Sequence, residues 1–201
     1  MTNTIFPVVT DNHQNELILN QRGVVVWLVG LSGSGKSTLA GMLRDRLHTD
    51  WYITTLLDGD NLRSGINRDL GFSETDRLEN IRRTAEVAKL FADAGIVTIC
   101  SLITPSEEMR QLAKSIIGEE RYFEVFVDAS LETCEQRDVK GLYKRARAGE
   151  VASFTGVQSK FERPSNPFLT IQTEQQNVDA CFAQLWHAVE NLIDLESENE
   201  L

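Results

Sequence analysis

This chain of 201 residues is short of three things. Cysteine is the first: Cys100, Cys134 and Cys181 are widely spaced, odd in number and contain no CxxC pair. That argues against a disulfide framework and a structural zinc site, and fits a reducing compartment. Positive charge is the second: Lys+Arg 20 against Asp+Glu 30 leaves a formal charge of −10. So acidic a chain repels polyanions, which excludes wrapping of duplex nucleic acid and seating on an anionic membrane, yet leaves room for a local basic pocket. Long apolar runs are the third. The longest, Val24 to Leu31, has a glycine inside it and falls far short of the roughly 20 residues that span a bilayer. Met1 to Phe6 shows no basic segment ahead of an apolar one, so no secretory signal is read there, and the expected location is the cytoplasm.

What is present describes an ordinary globular domain: 41% of residues are hydrophobic and 25% charged. The expected organisation is an arm or short helix over 1–22, one domain over 23–195, and an acidic tail over 196–201. Val24 to Val29 is a β-branched run suited to a strand buried on both faces. Further strands are expected over Ile53–Leu57, Ile96–Leu102, Phe123–Val127 and Leu169–Thr173. Between them lie helical stretches. The longest opens on the capping box Ser73-Glu74-Thr75-Asp76 and carries Leu78, Ile81, Ala85, Ala88 and Ala92 on one face. A last amphipathic helix, Val178–Leu195, turns Val178, Cys181, Leu185, Ala188, Val189 and Ile193 to one side. Strands alternating with helices mean an α/β domain with a mostly parallel sheet.

Gly30-Leu31-Ser32-Gly33-Ser34-Gly35-Lys36-Ser37 fits GxxxxGK[ST], with a buried strand before it and a helix after it. Such a loop curls around a phosphate with backbone N–H groups pointing inward, at the positive end of a helix. Lys36 would reach the outer phosphates and Ser37 would hold Mg²⁺. No Asn-Lys-x-Asp string is present to read guanine, which points to a small-molecule kinase with a second substrate held in line.

Three stretches are candidates for that second site. Leu57-Asp58-Gly59-Asp60-Asn61 follows the second strand, where ligands of open α/β sheets bind; it is either a carboxylate turn serving a hydroxyl or a metal, or an ordinary polar turn. Arg77 and Asn80 are neighbours in the first turns of the long helix and form a candidate anion clamp. Five cations within the eleven residues from Arg137 to Arg147 open an irregular segment, 138–168, that reads either as a mobile lid or as a basic helix covering acidic neighbours.

Taken together and in order, these motifs resemble the adenylyl-sulfate kinase (APS kinase) family. The resemblance runs from about Gly23 to Pro167, and includes the P-loop through Thr38, Asp69-Leu70-Gly71-Phe72-Ser73, Arg137-Asp138-Val139-Lys140-Gly141-Leu142-Tyr143 and Phe154-Thr155-Gly156. It implies a P-loop NTPase-type sheet flanked by helices, with a mobile lid. It also implies transfer of the γ-phosphate of MgATP to the 3′-hydroxyl of adenosine 5′-phosphosulfate (APS), giving PAPS. On the same basis Lys36 and Ser37 serve ATP and Mg²⁺, and Asp60 activates the hydroxyl. Arg63, Arg77 and Asn80 hold phosphosulfate and ribose, and Phe72 and Phe154 sandwich the acceptor adenine. Arg137 covers the ATP adenine, Lys140 and Lys144 belong to the lid, and Ile103 makes a backbone contact to substrate. A homodimer is the implied assembly.

One departure stands out. Where the family has Ser-Pro-aromatic-Arg, this chain has Thr104-Pro105-Ser106-Glu107, with Arg110 kept further on. The β-methyl of Thr104 restricts its rotamers, which favours direct in-line transfer with Thr104 as a substrate contact over a phospho-enzyme. Glu107 is expected to remove a positive charge near the anionic site. Arg82, Arg83 and the Arg137–Arg147 cluster are expected to serve the two nucleotides. The alternatives are a P-loop kinase of another small hydroxyl acceptor and a non-catalytic nucleotide-binding regulator.

Overall fold

The computed structural model describes residues 12–151 and 153–195. The first eleven residues of the arm and the acidic tail lie outside the described residues. The rest of the arm holds helix α1 (Asn12–Leu19), whose Asn12 and Asn15 side chains donate to Asp93.

One sheet carries the fold. Its strands are β1 (Val25–Val29), β2 (Thr54–Asp58), β3 (Val97–Ser101), β4 (Tyr122–Asp128) and β5 (Leu169–Gln172), all parallel, in the order β2-β3-β1-β4-β5. The central strand, β1, is buried along its whole length. Side chains alternate across it. Val26 and Leu28 face a core shared with α2 (Lys36–Thr49) and α8 (Val178–Ile193), while Val25, Trp27 and Val29 face α4 (Glu74–Asp93) and α5 (Glu107–Ile117). Two-sided burial is why β1 reads as an unbroken apolar run.

The long helix α4 begins at the expected N-cap, with the Ser73 hydroxyl accepting from the Asp76 N–H and donating to the Asp76 carboxylate. Its stripe packs as expected: Ile81, Ala85, Ala88 and Ala92 are buried and Leu78 packs beside them. On α8, Cys181, Leu185, Val189 and Ile193 are buried, but Val178 is 47% exposed because it is the first residue after the Asn177 cap and precedes the packed turns. The residues after β2 are not a turn. Asp58 accepts from the Asp60 N–H and caps a short helix, α3 (Gly59–Ser64). The segment over 138–168 holds α7 (Leu142–Arg147), preceded by α6 (Leu131–Arg137). Tyr143, Ala146 and Phe154 of that segment join Leu31, Ala129 and Cys134 in a third, smaller core, which seats the segment on the P-loop.

Candidate active site

Parallel strands bring the ends of β1, β2 and β3 to one edge, and the cleft lies there. At Gly30 the chain leaves β1 with φ 150, and a Cβ would sit 2.5 Å from the Val127 carbonyl oxygen, so only glycine fits. The loop closes at Gly35 (φ 109), the N-cap of α2. Lys36 opens that helix, and its buried Nζ donates to the Leu31 carbonyl at 2.6 Å, within its own loop. Loss of water around the ammonium pulls its pKa down from 10.5 to about 8, against the negative charge of Asp58 and Asp60. Ser37 Oγ donates to Asp58 Oδ2 at 3.0 Å and lies 3.3 Å from the Ser101 hydroxyl.

Across from the P-loop stand α3 and the start of α4. Arg63 donates to the Leu70 and Gly71 carbonyls, at 3.3 and 2.8 Å, and its guanidinium lies 4.5 Å over the Phe72 ring. Arg77 donates to the Phe72 carbonyl at 3.0 Å and reaches across to the Thr155 hydroxyl and the Ser153 carbonyl. Burial lowers the pKa of both guanidinium groups, and Arg63 adds to the effect on Arg77. Two partly dehydrated like charges facing one cleft make a seat for an anion. Asn80 is buried beside them, its Oδ1 accepting from Asn67 at 3.0 Å.

Most of the expected residues converge. Gly33, Gly35, Lys36, Ser37, Thr38, Asp60, Arg63, Phe72, Arg77, Asn80, Ile103, Thr104, Lys140 and Phe154 line one cleft of about 470 Å³. The Lys140 ammonium rests on the Asp60 carboxylate. Phe154 is buried edge-on against Tyr143, at 4.9 Å between ring centroids, whereas Phe72 is 56% exposed.

Other expected residues lie elsewhere. Arg137 braces the back of the P-loop, donating to the Gly33 and Ser34 carbonyls at 3.4 Å and to the Thr173 carbonyl at 2.7 Å. Arg82 pairs with Glu79 and Glu86, Arg83 with Asp69 and Glu79, Arg145 with Glu150, and Arg147 with Glu135, all outside the cleft. Within the Arg137–Arg147 cluster, Lys140 is the cation that lines the cleft. Glu107 does not place its charge there either; it pairs with Arg110 at 2.8 Å.

Thr104 is 1% exposed and sits at φ 44, a left-handed backbone that costs a β-branched residue on the order of 1–3 kcal/mol. Asp58, Ser101 and Tyr143 also line the cleft. Asp58 belongs to the strand-end string Leu57–Asn61, but its partnership with Ser37 needs the fold. Ser101 and Tyr143, whose hydroxyl donates to the Ser32 carbonyl at 2.8 Å, have no local signature.

A phosphate-cradling loop on the first strand, set opposite a carboxylate and a cationic second subsite, defines a phosphotransferase of the P-loop class. The comparisons narrow the class. The adenylylsulphate kinase family profile matches residues 22–172. The adenylyl-sulfate kinase of Bacteroides thetaiotaomicron is 48% identical over 190 residues, 93% of this chain and 94% of that protein. That of Clostridium acetobutylicum is 46% identical over 201 residues, 100% of this chain and 96% of the relative. Among solved structures, the Mycobacterium tuberculosis APS kinase CysC, in complex with AMPPNP and APS, superposes with a TM-score of 0.81 at 44% identity, covering 84% of this chain and 98% of that one. The chain belongs to the adenylylsulphate kinase family.

Proposed function

We infer that this chain phosphorylates the ribose 3′-hydroxyl of adenosine 5′-phosphosulfate with the γ-phosphate of ATP, giving PAPS. The observation that carries the reading is the placement of Lys36 and Ser37 opposite Asp60, with Arg63, Arg77, Phe72 and Phe154 in the same cleft. In this reading the acceptor hydroxyl attacks the γ-phosphorus in line. The bond to the β,γ-bridging oxygen breaks, and the hydroxyl proton passes to Asp60. Lys36 balances the charge on the outer phosphates. Arg63 and Arg77 receive the phosphosulfate, and the two aromatic rings grip the base. Lys140 leaves Asp60 when substrate enters and turns to the phosphates. Thr104 serves as a contact and Ile103 through its backbone, while Arg137 stiffens the loop that ATP grips.

The donors also fit a hard cation. The Ser37 hydroxyl and an Asp58 carboxylate oxygen, 3.0 Å apart, are the oxygen ligands Mg²⁺ takes, directly or through water. Bound with ATP, Mg²⁺ would neutralise charge on the β- and γ-phosphates. A homodimer and a cytoplasmic setting belong to the same reading. The setting is supported by three cysteines that are all free and buried.

The test is PAPS formation from APS and ATP. Asp60→Asn is expected to lower turnover by about two to four orders of magnitude, the range of a positioned acid–base group. A near-normal rate removes Asp60 from its role. ATP consumption with a polyol but not with APS overturns the reading.

A further inference from the structure

Arg110 lies outside the cleft and is 2% exposed. A buried guanidinium must have every charge and donor matched, so its partners reveal what it is built to hold. Its charge is met by Glu107, at 2.8 Å from Nη2, and more distantly by Glu124 at 3.9 Å. The remaining nitrogen, Nη1, donates to two backbone carbonyls: Thr104 at 3.2 Å and Glu162 at 2.9 Å. These carbonyls belong to two different parts of the site. Thr104 follows Ile103 on the shelf after β3 that lines the cleft, and Glu162 lies where the 138–168 segment runs back to the sheet.

Two further bonds join the same stretches. The Glu162 N–H donates to the Pro105 carbonyl at 2.8 Å, and the Glu107 N–H donates to Glu162 Oε2 at 2.9 Å. Phe161, the residue before Glu162, stacks on Phe126 of β4 with ring centroids 6.0 Å apart and planes at 22°. The shelf is itself held in an unfavourable shape, since Thr104 keeps φ at 44. A residue stays in such a conformation only where its surroundings fix it, and the Arg110 bond to its carbonyl is one of the fixing contacts.

We propose that Arg110 is a positioning residue for the acceptor nucleotide. It holds the Ile103–Thr104 backbone in its cleft-facing conformation and ties that shelf to the base of the lid segment, so that acceptor seating and lid placement are set by one guanidinium. The proposal rests on the acceptor reading given above. Wild-type PAPS formation tests that reading separately.

The experiment is the split between the two substrates in Arg110→Lys and Glu162→Ala. Lysine keeps the positive charge for Glu107 and Glu124 and so preserves the buried ion pairing, but a compact ammonium lacks the rigid fork that spans both carbonyls. Arg110→Lys is expected to raise KM for APS by about tenfold to a hundredfold while leaving KM for ATP within about twofold, the signature of a misplaced acceptor. Glu162→Ala cuts one link between the shelf and the lid base at an exposed side chain and shifts the same parameter the same way, by less. A residue that served stability alone would move both KM values together, or neither, while lowering the melting temperature. Either pattern in a folded Arg110→Lys overturns the proposal. Should that variant not fold, an unchanged KM for APS in Glu162→Ala overturns it.

Discussion

The indole N–H of Trp27 donates to the hydroxyl oxygen of Thr104 over 2.9 Å, joining the middle of β1 to the shelf beyond β3. Trp27 is fully buried, and this hydroxyl is the acceptor for the one polar atom of its side chain.

The first prediction follows from that bond. Thr104→Val keeps the shape and leaves the indole N–H buried without an acceptor, which costs about 1–3 kcal/mol. Thr104→Ser keeps the acceptor. Urea unfolding of the two variants is expected to show a clear loss for valine and a small one for serine. Because the Thr104 oxygen is buried and already engaged, incubation with γ-labelled ATP alone is expected to leave no phosphate on it. Stable label on Thr104 would overturn direct transfer.

Asp58 gives the second prediction. Its two oxygens divide the labour: Oδ1 caps α3 through the Asp60 N–H, and Oδ2 accepts from Ser37. Asparagine caps a helix as well as aspartate, so Asp58→Asn spares α3 while replacing the anionic oxygen beside Ser37 with a neutral amide NH2. The Mg²⁺ concentration giving half-maximal turnover is expected to rise roughly 10- to 100-fold, as for other groups that orient a metal's ligands. An unchanged Mg²⁺ titration would detach Asp58 from the metal.

Asp58 also shows where the sequence stops being legible. The P-loop, β1 and the N-cap at Ser73 are local patterns, and each appears where the pattern places it. So does the convergence of Arg63, Arg77 and Asn80, since parallel strands leave one edge for ligands. What the sequence cannot show is long-range pairing. Arg82 meets Glu79 and Glu86 at ordinary helical spacing, but Arg83 and Arg147 look like anion binders until the fold supplies Asp69 and Glu135, 14 and 12 residues away. Arg137 sits in a family motif, and its guanidinium meets the back of the P-loop directly at the Gly33 and Ser34 carbonyls while also reaching Thr173, 36 residues on. Glu107 looks like a lost cation until Arg110 is seen to balance it.

Lys36 supplies a pH prediction. Its folded pKa, about 8, lies below the ordinary 10.5 because burial disfavours the ammonium. Between those two values the unfolded chain holds the extra proton, so this residue's penalty to the ligand-free fold is full below pH 8 and relieved as pH rises through the window. Triphosphate favours the ammonium and raises the folded pKa again. ATP binding at pH 8.5 is therefore expected to take up a proton, and at pH 6.5 to take up none at this residue. Calorimetry in buffers of different ionisation heat reads the difference between wild type and Lys36→Met. Equal proton uptake in both proteins at pH 8.5 would remove Lys36 as the source.

The two cleft phenylalanines give the last prediction, because their environments differ. Phe72 stands out from the surface with Arg63 over its ring, so Phe72→Ala removes little packing. Phe154 is 8% exposed and closes the small core that holds the 138–168 segment on the P-loop, so Phe154→Ala should cost stability on the order of 3–5 kcal/mol. If both rings grip the acceptor base, each variant also loses a stacking contact of about 1–3 kcal/mol, seen as a rise in KM for APS of about tenfold to a hundredfold. Thermal melts and acceptor titrations on both variants separate the two effects. Phe72→Ala is expected to melt like wild type with a raised KM, and Phe154→Ala to fail on both counts. A normal KM for APS in Phe72→Ala would leave the base held by Phe154 alone.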